Sequence, residues 1–519
     1  MKRAPSLIVL LLNLILVAVT VFSGVLASEW LTRLTDFGWL MADPNGAGRI
    51  VVGFLLLVLF SFGGMPLFTL GLAARDFYRG FRWQAFLSGG ISAALILMLA
   101  LWMGLGGPFA SYRETQVGRA WATTLDPIDT FTSRYPEGPA SDGALRLAAA
   151  GARIGIDLIP YGVPGTRPAE SDRKSYEAVR EKLLAFVSSE TDKANAMLDA
   201  PPVEVAPWLS AHSTGVTALV GDVLQGGPIV FETDWSTYDK LPVSLTGLRG
   251  VASVLILYGF GKERAGDSRA ALDALEASWR IGGAQRDRGE LISQISALGL
   301  DGMTLGALRK VNDVPESWQA RIAEHDYLIS MLRALEGEAW RTSALLNGLP
   351  VMGRSVGERP WHPLESPYMR LMASNYSEAV RKMVAEVKGS DPCSVDPSAL
   401  ARRVEGSIAR WNTLGRIAIS SLSRALWSAV GTALGAELTQ KVLAARTLKP
   451  TGGNWPAELP GLRSTVCPGV TWIYSTADDG SVSLSLSKKP TYGPTLAFRS
   501  LRPLQGHSRL TPIPQPPRP

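Results

Sequence analysis

The chain has 519 residues, 46% of them hydrophobic and 19% charged, with 52 Lys and Arg against 46 Asp and Glu. A charged fraction below the usual ~25% argues against a uniformly soluble protein, and the apolar content excludes a disordered or collagen-like chain. A net charge of +6 over this length, with no basic run interleaved with aromatics, leaves no nucleic-acid footprint.

The charge deficit is concentrated at the amino-terminal end. Pro5–Ala27, Ile50–Ala74 and Ala85–Pro108 each lack an ionisable side chain. Each exceeds the ~20 residues that a helix rising 1.5 Å per residue needs to cross a ~30 Å hydrocarbon layer. These runs predict three transmembrane helices within a 1–108 anchor, the second kinked at Gly63, Gly64 and Pro66. Lys2 and Arg3 precede the first run, and the short link between the second and third carries Arg75, Arg79 and Arg82. Basic residues in short loops mark the cytoplasmic side, so the amino terminus is expected there and everything after about residue 107 outside. Trp30, Trp39, Trp83 and Trp102 fall at the expected interfaces. Val25-Leu26-Ala27 resembles a cleavage site, but the apolar run before it is longer than a signal-peptide core, which favours an uncleaved anchor.

Residues 109–390 read as a helical extracytoplasmic domain. Tyr176–Leu198 repeats apolar residues at helical spacing with charges opposite. Val243–Glu263 and Arg269–Ile281 read as a helical hairpin turning at Gly266-Asp267, with Ala271, Leu275 and Trp279 on one stripe. The hairpin is TPR-like, but no second copy follows at a 34-residue period, so an irregular helical domain is expected. Glu290–Leu308 and Trp318–Leu346 continue the pattern, and Gly348–Pro367 reads as a loop.

A third segment, 391–505, joins a long helix over Pro397–Arg446 to a small β-hairpin. Within the helix, 417–436 is apolar enough to raise a fourth span, against which stands the mid-run Arg424. Thr471–Ser475 and Val482–Leu486 flank Asp478-Asp479-Gly480, a strand-turn-strand signal. Residues 506–519 form a Pro-rich tail expected to be disordered.

Cys393 and Cys467 both fall in the exterior part, where an even count permits a disulfide closing a loop of about 75 residues. Both sit in proline-marked turns, unlike core thiols, and a fourth span would place them on opposite sides of the membrane. No other chemistry is signalled. His212, His325, His362 and His507 lie far apart, and no HExxH, CxxC, G-x-S-x-G or Walker motif occurs, so neither a metal site nor a cofactor is expected and the catalytic residues are unspecified. His325, in Glu324-His325-Asp326, reads as part of a solvated helix face.

The stretch from Val243 to Val311 resembles a helical family of membrane-anchored bacterial envelope proteins. The tail GGNWPAELPGL, followed by WIYSTADDGSVSLSLS, is similar to the ending found in those proteins and in type II secretion pseudopilins. The amino terminus departs from pseudopilins, with no prepilin cleavage motif, no glutamate in its first span and two further spans. The resemblance implies a bacterial envelope setting and no activity or site residue. The expectation is a mainly α, multi-pass inner-membrane protein whose helical exterior domain binds or scaffolds, with membrane lipid and an envelope protein as partners. The alternative is a membrane-anchored envelope hydrolase with a site assembled from dispersed residues. Transport is disfavoured because no span carries an ionisable residue.

Overall fold

The computed structural model describes residues 71, 74–75, 77–80, 82–124, 134–159, 166–233, 243–346, 362–448, 455–488 and 496–500. These residues are mainly helical, with one small antiparallel sheet. They divide into two units interleaved along the chain. The first takes the described residues of Met1–Thr124, Thr342–Arg381 and Arg403–Ser421; the second takes those of Leu125–Arg341, Lys382–Arg402 and Leu422–Pro519.

The first unit is built on α1 (Arg82–Trp121), a 40-residue helix that runs through Pro108. The sequence places the end of an apolar run at that proline. The helix continues because the charged residues beyond it find partners. Arg113 pairs with Glu378 at 2.7 Å, Arg370 pairs with Glu114 and donates to Ser111 Oγ at 2.8 Å, and Trp121 Nε1 donates to Ser377 Oγ at 2.9 Å. The partners lie on α11 (His362–Lys388). Nearer its amino-terminal end, α1 leaves Phe86, Leu97, Met98, Leu101, Leu105 and Phe109 at 50–68% exposure.

The expected three-span anchor is not supported by the described residues. Its first two runs lie outside them, but for Gly71 and Ala74. Among the described residues, the helix long and apolar enough to cross a membrane is Leu291–Leu308, and 67% of it is buried. A core helix surrounded by other helices is apolar all round for the same reason a spanning one is. Leu291–Leu308 therefore lends no support to the membrane, envelope and TPR-like readings.

The second unit packs α2 (Asp142–Arg153), α3 (Glu170–Asp192), α4 (Val205–Ala211), α5 (Ser213–Gln225), α6 (Leu245–Arg264), α7 (Ser268–Arg286) and α8 (Leu291–Leu308) around one core. The predicted hairpin is α6–α7. Gly266 takes the left-handed φ of +79° that its turn requires, and Asp267 caps α7 by accepting from Ala270 N–H at 3.2 Å. Ala271, Leu275 and Trp279 are buried on the predicted stripe. The long helices expected elsewhere are shortened by local hydrogen-bond competition. Trp318–Leu346 breaks into α9 (Ser317–Ala323) and α10 (Tyr327–Leu346), because Asp326 Oδ1 accepts from Ile329 N–H at 2.9 Å and starts a new helix. Pro397–Arg446 breaks into α12 (Pro397–Ser407) and α13 (Thr413–Thr447), where Asn412 Oδ1 caps Gly415 N–H at 3.0 Å. In the stretch considered for a fourth span, Leu422, Leu426, Ala429, Val430 and Leu434 are buried, as in a close-packed helix.

The sheet has the order β1 (Trp472–Thr476), β2 (Val482–Leu486), β3 (Ala497–Ser500), all antiparallel. Tyr474 faces Leu484, and Leu484 faces Phe498. Trp472, Val482, Leu484 and Phe498 point into the core, and Gly480 supplies the left-handed turn residue at φ +75°. The third strand is not anticipated by the sequence. It also ends α3 early, since Arg499 N–H donates to Ala194 O at 2.7 Å and Ala196 N–H to Arg499 O at 3.0 Å. Sheet pairing there replaces the last turns of the expected 176–198 helix. The Pro-rich tail lies outside the described residues.

Candidate functional site

Asp301 sits mid-way along α8 in an otherwise apolar run and is fully buried. An isolated carboxylate in such a place would be expelled or neutralised. Here α7 makes room for it. A Cβ at Gly282 would lie 2.1 Å from Asp301 Oδ1, so the carboxylate occupies the space that any larger residue would fill. One turn on, Arg286 Nη1 donates to the same oxygen at 2.6 Å, and Tyr327 OH, at the start of α10, donates to Oδ2 at 3.0 Å. The guanidinium lies over the Trp279 ring at 4.1 Å, and Trp279 meets Trp318 edge-on at 5.8 Å. Arg321 in turn lies 4.5 Å from the centre of the Trp318 ring and pairs with Glu276. Three elements thus converge on one buried acid.

Burial pushes the Asp301 carboxyl above the usual range, and the Arg286 charge and the Tyr327 hydroxyl oppose that push. The tyrosine is driven well above its ordinary value, first by burial and then by the neighbouring Asp301. His325 stands edge-on to Tyr327 at 4.7 Å, and its Nε2 is buried without a protein hydrogen-bond partner. Burial, followed by the Arg286 charge, lowers it to about 4. The expectation of a solvated His325 fails because the helix breaks at this residue and turns the ring inward. Chemically the cluster holds itself together: each carboxylate oxygen already accepts a hydrogen bond, and the phenol proton is committed.

A second polar centre joins α3, the end of α8 and α13. Lys310 Nζ donates to Glu190 Oε1 at 3.0 Å, Asn195 O at 2.9 Å and Met197 O at 2.8 Å. Lys193 takes the other Glu190 oxygen at 2.8 Å. The half-buried Arg309 donates to Thr439 Oγ1 at 2.9 Å, and Arg446 donates to Leu308 O at 3.3 Å and to Val311 O, capping α8. Burial lowers both guanidiniums to about 10. The outer face of α3 bears an open recess of about 550 Å³, lined by Glu181, Ser188, Ser189, Asp192 and Arg249 with Leu184 and Ala185.

The two predicted site residues do meet. Cys393 and Cys467 form a disulfide-capable pair with Cα atoms 5.6 Å apart. Cys467 is fully buried, and Asp391 stands beside the pair. Among the described residues no histidine joins a metal-ligating group. His212 stacks on Trp208 at 4.6 Å, and His507 lies outside the described residues.

Arg286, Asp301 and Tyr327 belong to no recognisable motif, although two signals in the sequence mark the place. Gly282-Gly283 inside a helix forfeits stability without a packing reason, and Asp301 is a lone acid in an apolar run. No family model, curated protein or solved structure matches the chain, so nothing there bears on the resemblance to envelope proteins.

Proposed function

We propose that the chain is a bacterial inner-membrane protein that is held by three amino-terminal spans with a cytoplasmic amino terminus. Its helical exterior domain binds or scaffolds partners in the envelope. The observation that carries the reading is the apolar surface of α1. Phe86, Leu97, Met98, Leu101, Leu105 and Phe109 are at least half exposed, and their cost in water, of order 25 cal/mol per Å², disappears in lipid. The uncharged runs 5–27 and 50–74 and the arginines at 75, 79 and 82 support the same arrangement. Binding is preferred over catalysis because the Asp301 carboxylate is already taken up by Arg286 and Tyr327, and the α3 recess is open rather than enclosing. The convergence of Arg286, Asp301, His325 and Tyr327 with shifted proton affinities is the one observation favouring the alternative, an envelope hydrolase.

Alkaline extraction of membranes, followed by protease treatment of spheroplasts, tests the topology. The protein should stay with the membrane, and residues beyond 108 should be digested from outside. Release at alkaline pH, or full protection in intact spheroplasts, would contradict it.

A further inference from the structure

The disulfide pair has a third neighbour whose chemistry neither the fold nor the binding role uses. The ligand atoms of Asp391, Cys393 and Cys467 all lie within 4.8 Å of one another. They come from two separately anchored turns. Asp391 Oδ1 accepts the Cys393 N–H at 2.9 Å, which fixes the carboxylate against the first cysteine. In the second turn, Cys467 N–H donates to Ser464 Oγ at 3.0 Å, and Val470 N–H to Cys467 O at 2.9 Å. Ser464 Oγ donates to the buried Glu437 at 2.6 Å, which also accepts Thr465 N–H at 2.9 Å. These contacts hold the backbone at both cysteines without help from the sulfurs.

Among the described residues Asp391 makes no ion pair with a lysine or arginine. Two reduced cysteines and a carboxylate this close repel one another when ionised, so either protons or a bound cation must neutralise them. Two sulfurs and one oxygen form a ligand set suited to a borderline-soft divalent ion, which takes thiolates at ~2.3 Å and carboxylate oxygens at ~2.0–2.2 Å in a tetrahedron. Cys393 and Asp391 are partly buried and Cys467 is fully buried.

We propose that, with the disulfide reduced, Asp391, Cys393 and Cys467 form a site for a zinc-class divalent cation, so that the S–S bond and the bound metal are alternative states of one place. Opening requires a dithiol reductant. It supplies two electrons and two protons, leaves as its own disulfide, and yields two protein thiols. Metal binding then displaces the two thiol protons. In the reverse direction a disulfide oxidant takes two electrons from the thiolates and two protons from water and leaves as its dithiol, the S–S bond forms, and the cation departs unchanged. The proposal rests on these three residues and is independent of the membrane reading.

The test uses the full-length protein in detergent, under anaerobic conditions, with Co²⁺ as the spectroscopic probe and Zn²⁺ in competition. Reduced protein should take up one Co²⁺ per chain with a thiolate-to-metal charge-transfer band that Zn²⁺ abolishes, and oxidised protein should take up none. Asp391→Asn keeps the hydrogen-bond acceptor for Cys393 N–H and should weaken binding at least tenfold. Cys393→Ser should lose the two-thiolate spectrum. Circular dichroism of the reduced protein is recorded alongside. The proposal is overturned if reduced and oxidised protein bind Co²⁺ alike, if Asp391→Asn binds as tightly as the natural chain, or if reduction unfolds the chain.

Discussion

Replacing Asp301 by alanine removes the anion around which α7, α8 and α10 are assembled. Arg286 is left buried with its charge unpaired, and Tyr327 OH loses its acceptor. The side chains of Asp301 and Arg286 are 0% and 10% exposed, so water cannot readily take the missing partner's place. Breaking one side of such a pair costs about 3–5 kcal/mol, most of it the penalty of the stranded charge. Removing both sides is a different experiment. Arg286→Met keeps an apolar stem over Trp279, and the double variant with Asp301→Ala leaves no buried charge in this pair. The double variant should therefore be less destabilised than the sum of the singles, by about 2 kcal/mol or more. The assay is urea unfolding of the detergent-solubilised full-length protein, followed by far-UV circular dichroism, for all four corners of the cycle. A loss below about 1 kcal/mol for Asp301→Ala, or strict additivity, would refute the claim that this pair is a desolvated latch.

Three further outcomes follow from other parts of the fold. His325 titrates at about 4 when folded against ~6.5 when unfolded, so its contribution is complete above pH ~6.5 and is lost as pH falls toward 4. The loss reaches at most about 3 kcal/mol, and stability measured against pH for His325→Gln should lack that component. Gly155 has φ +86°, and a Cβ there would sit 2.1 Å from Asp172 O, so Gly155→Ala should lower stability by about 2–4 kcal/mol; a thermal melt unchanged from the natural chain would disprove the close approach. Reducing the Cys393–Cys467 bond, which spans a sequence separation of 74, should lower stability by about 2–4 kcal/mol in metal-free buffer, as read from the urea midpoint.

Local signals in the sequence identified much of the fold. The turn at Gly266-Asp267, the stripe of Ala271, Leu275 and Trp279, and the strand pair around Asp478-Asp479-Gly480 all rest on residues within a few positions of one another. Turn chemistry and periodicity act over that range, so they are legible without the rest of the chain. Helix ends were less legible. Asp326 and Asn412 cap new helices inside runs whose apolar pattern is unbroken, and β3 captures residues 194–196 from across the chain.

The sequence by itself determined that this protein is mainly helical, uneven in charge, and supplied with two cysteines and no contiguous catalytic motif. Only the tertiary structure decided that Gly282 would admit Asp301, that Arg286 and Tyr327 would satisfy it, and that Asp391 would stand beside the two cysteines. The reason is physical. Periodicity and turn preference are properties of neighbours along the chain, whereas the environment of a buried charge depends on which distant residues the packing brings within hydrogen-bonding distance.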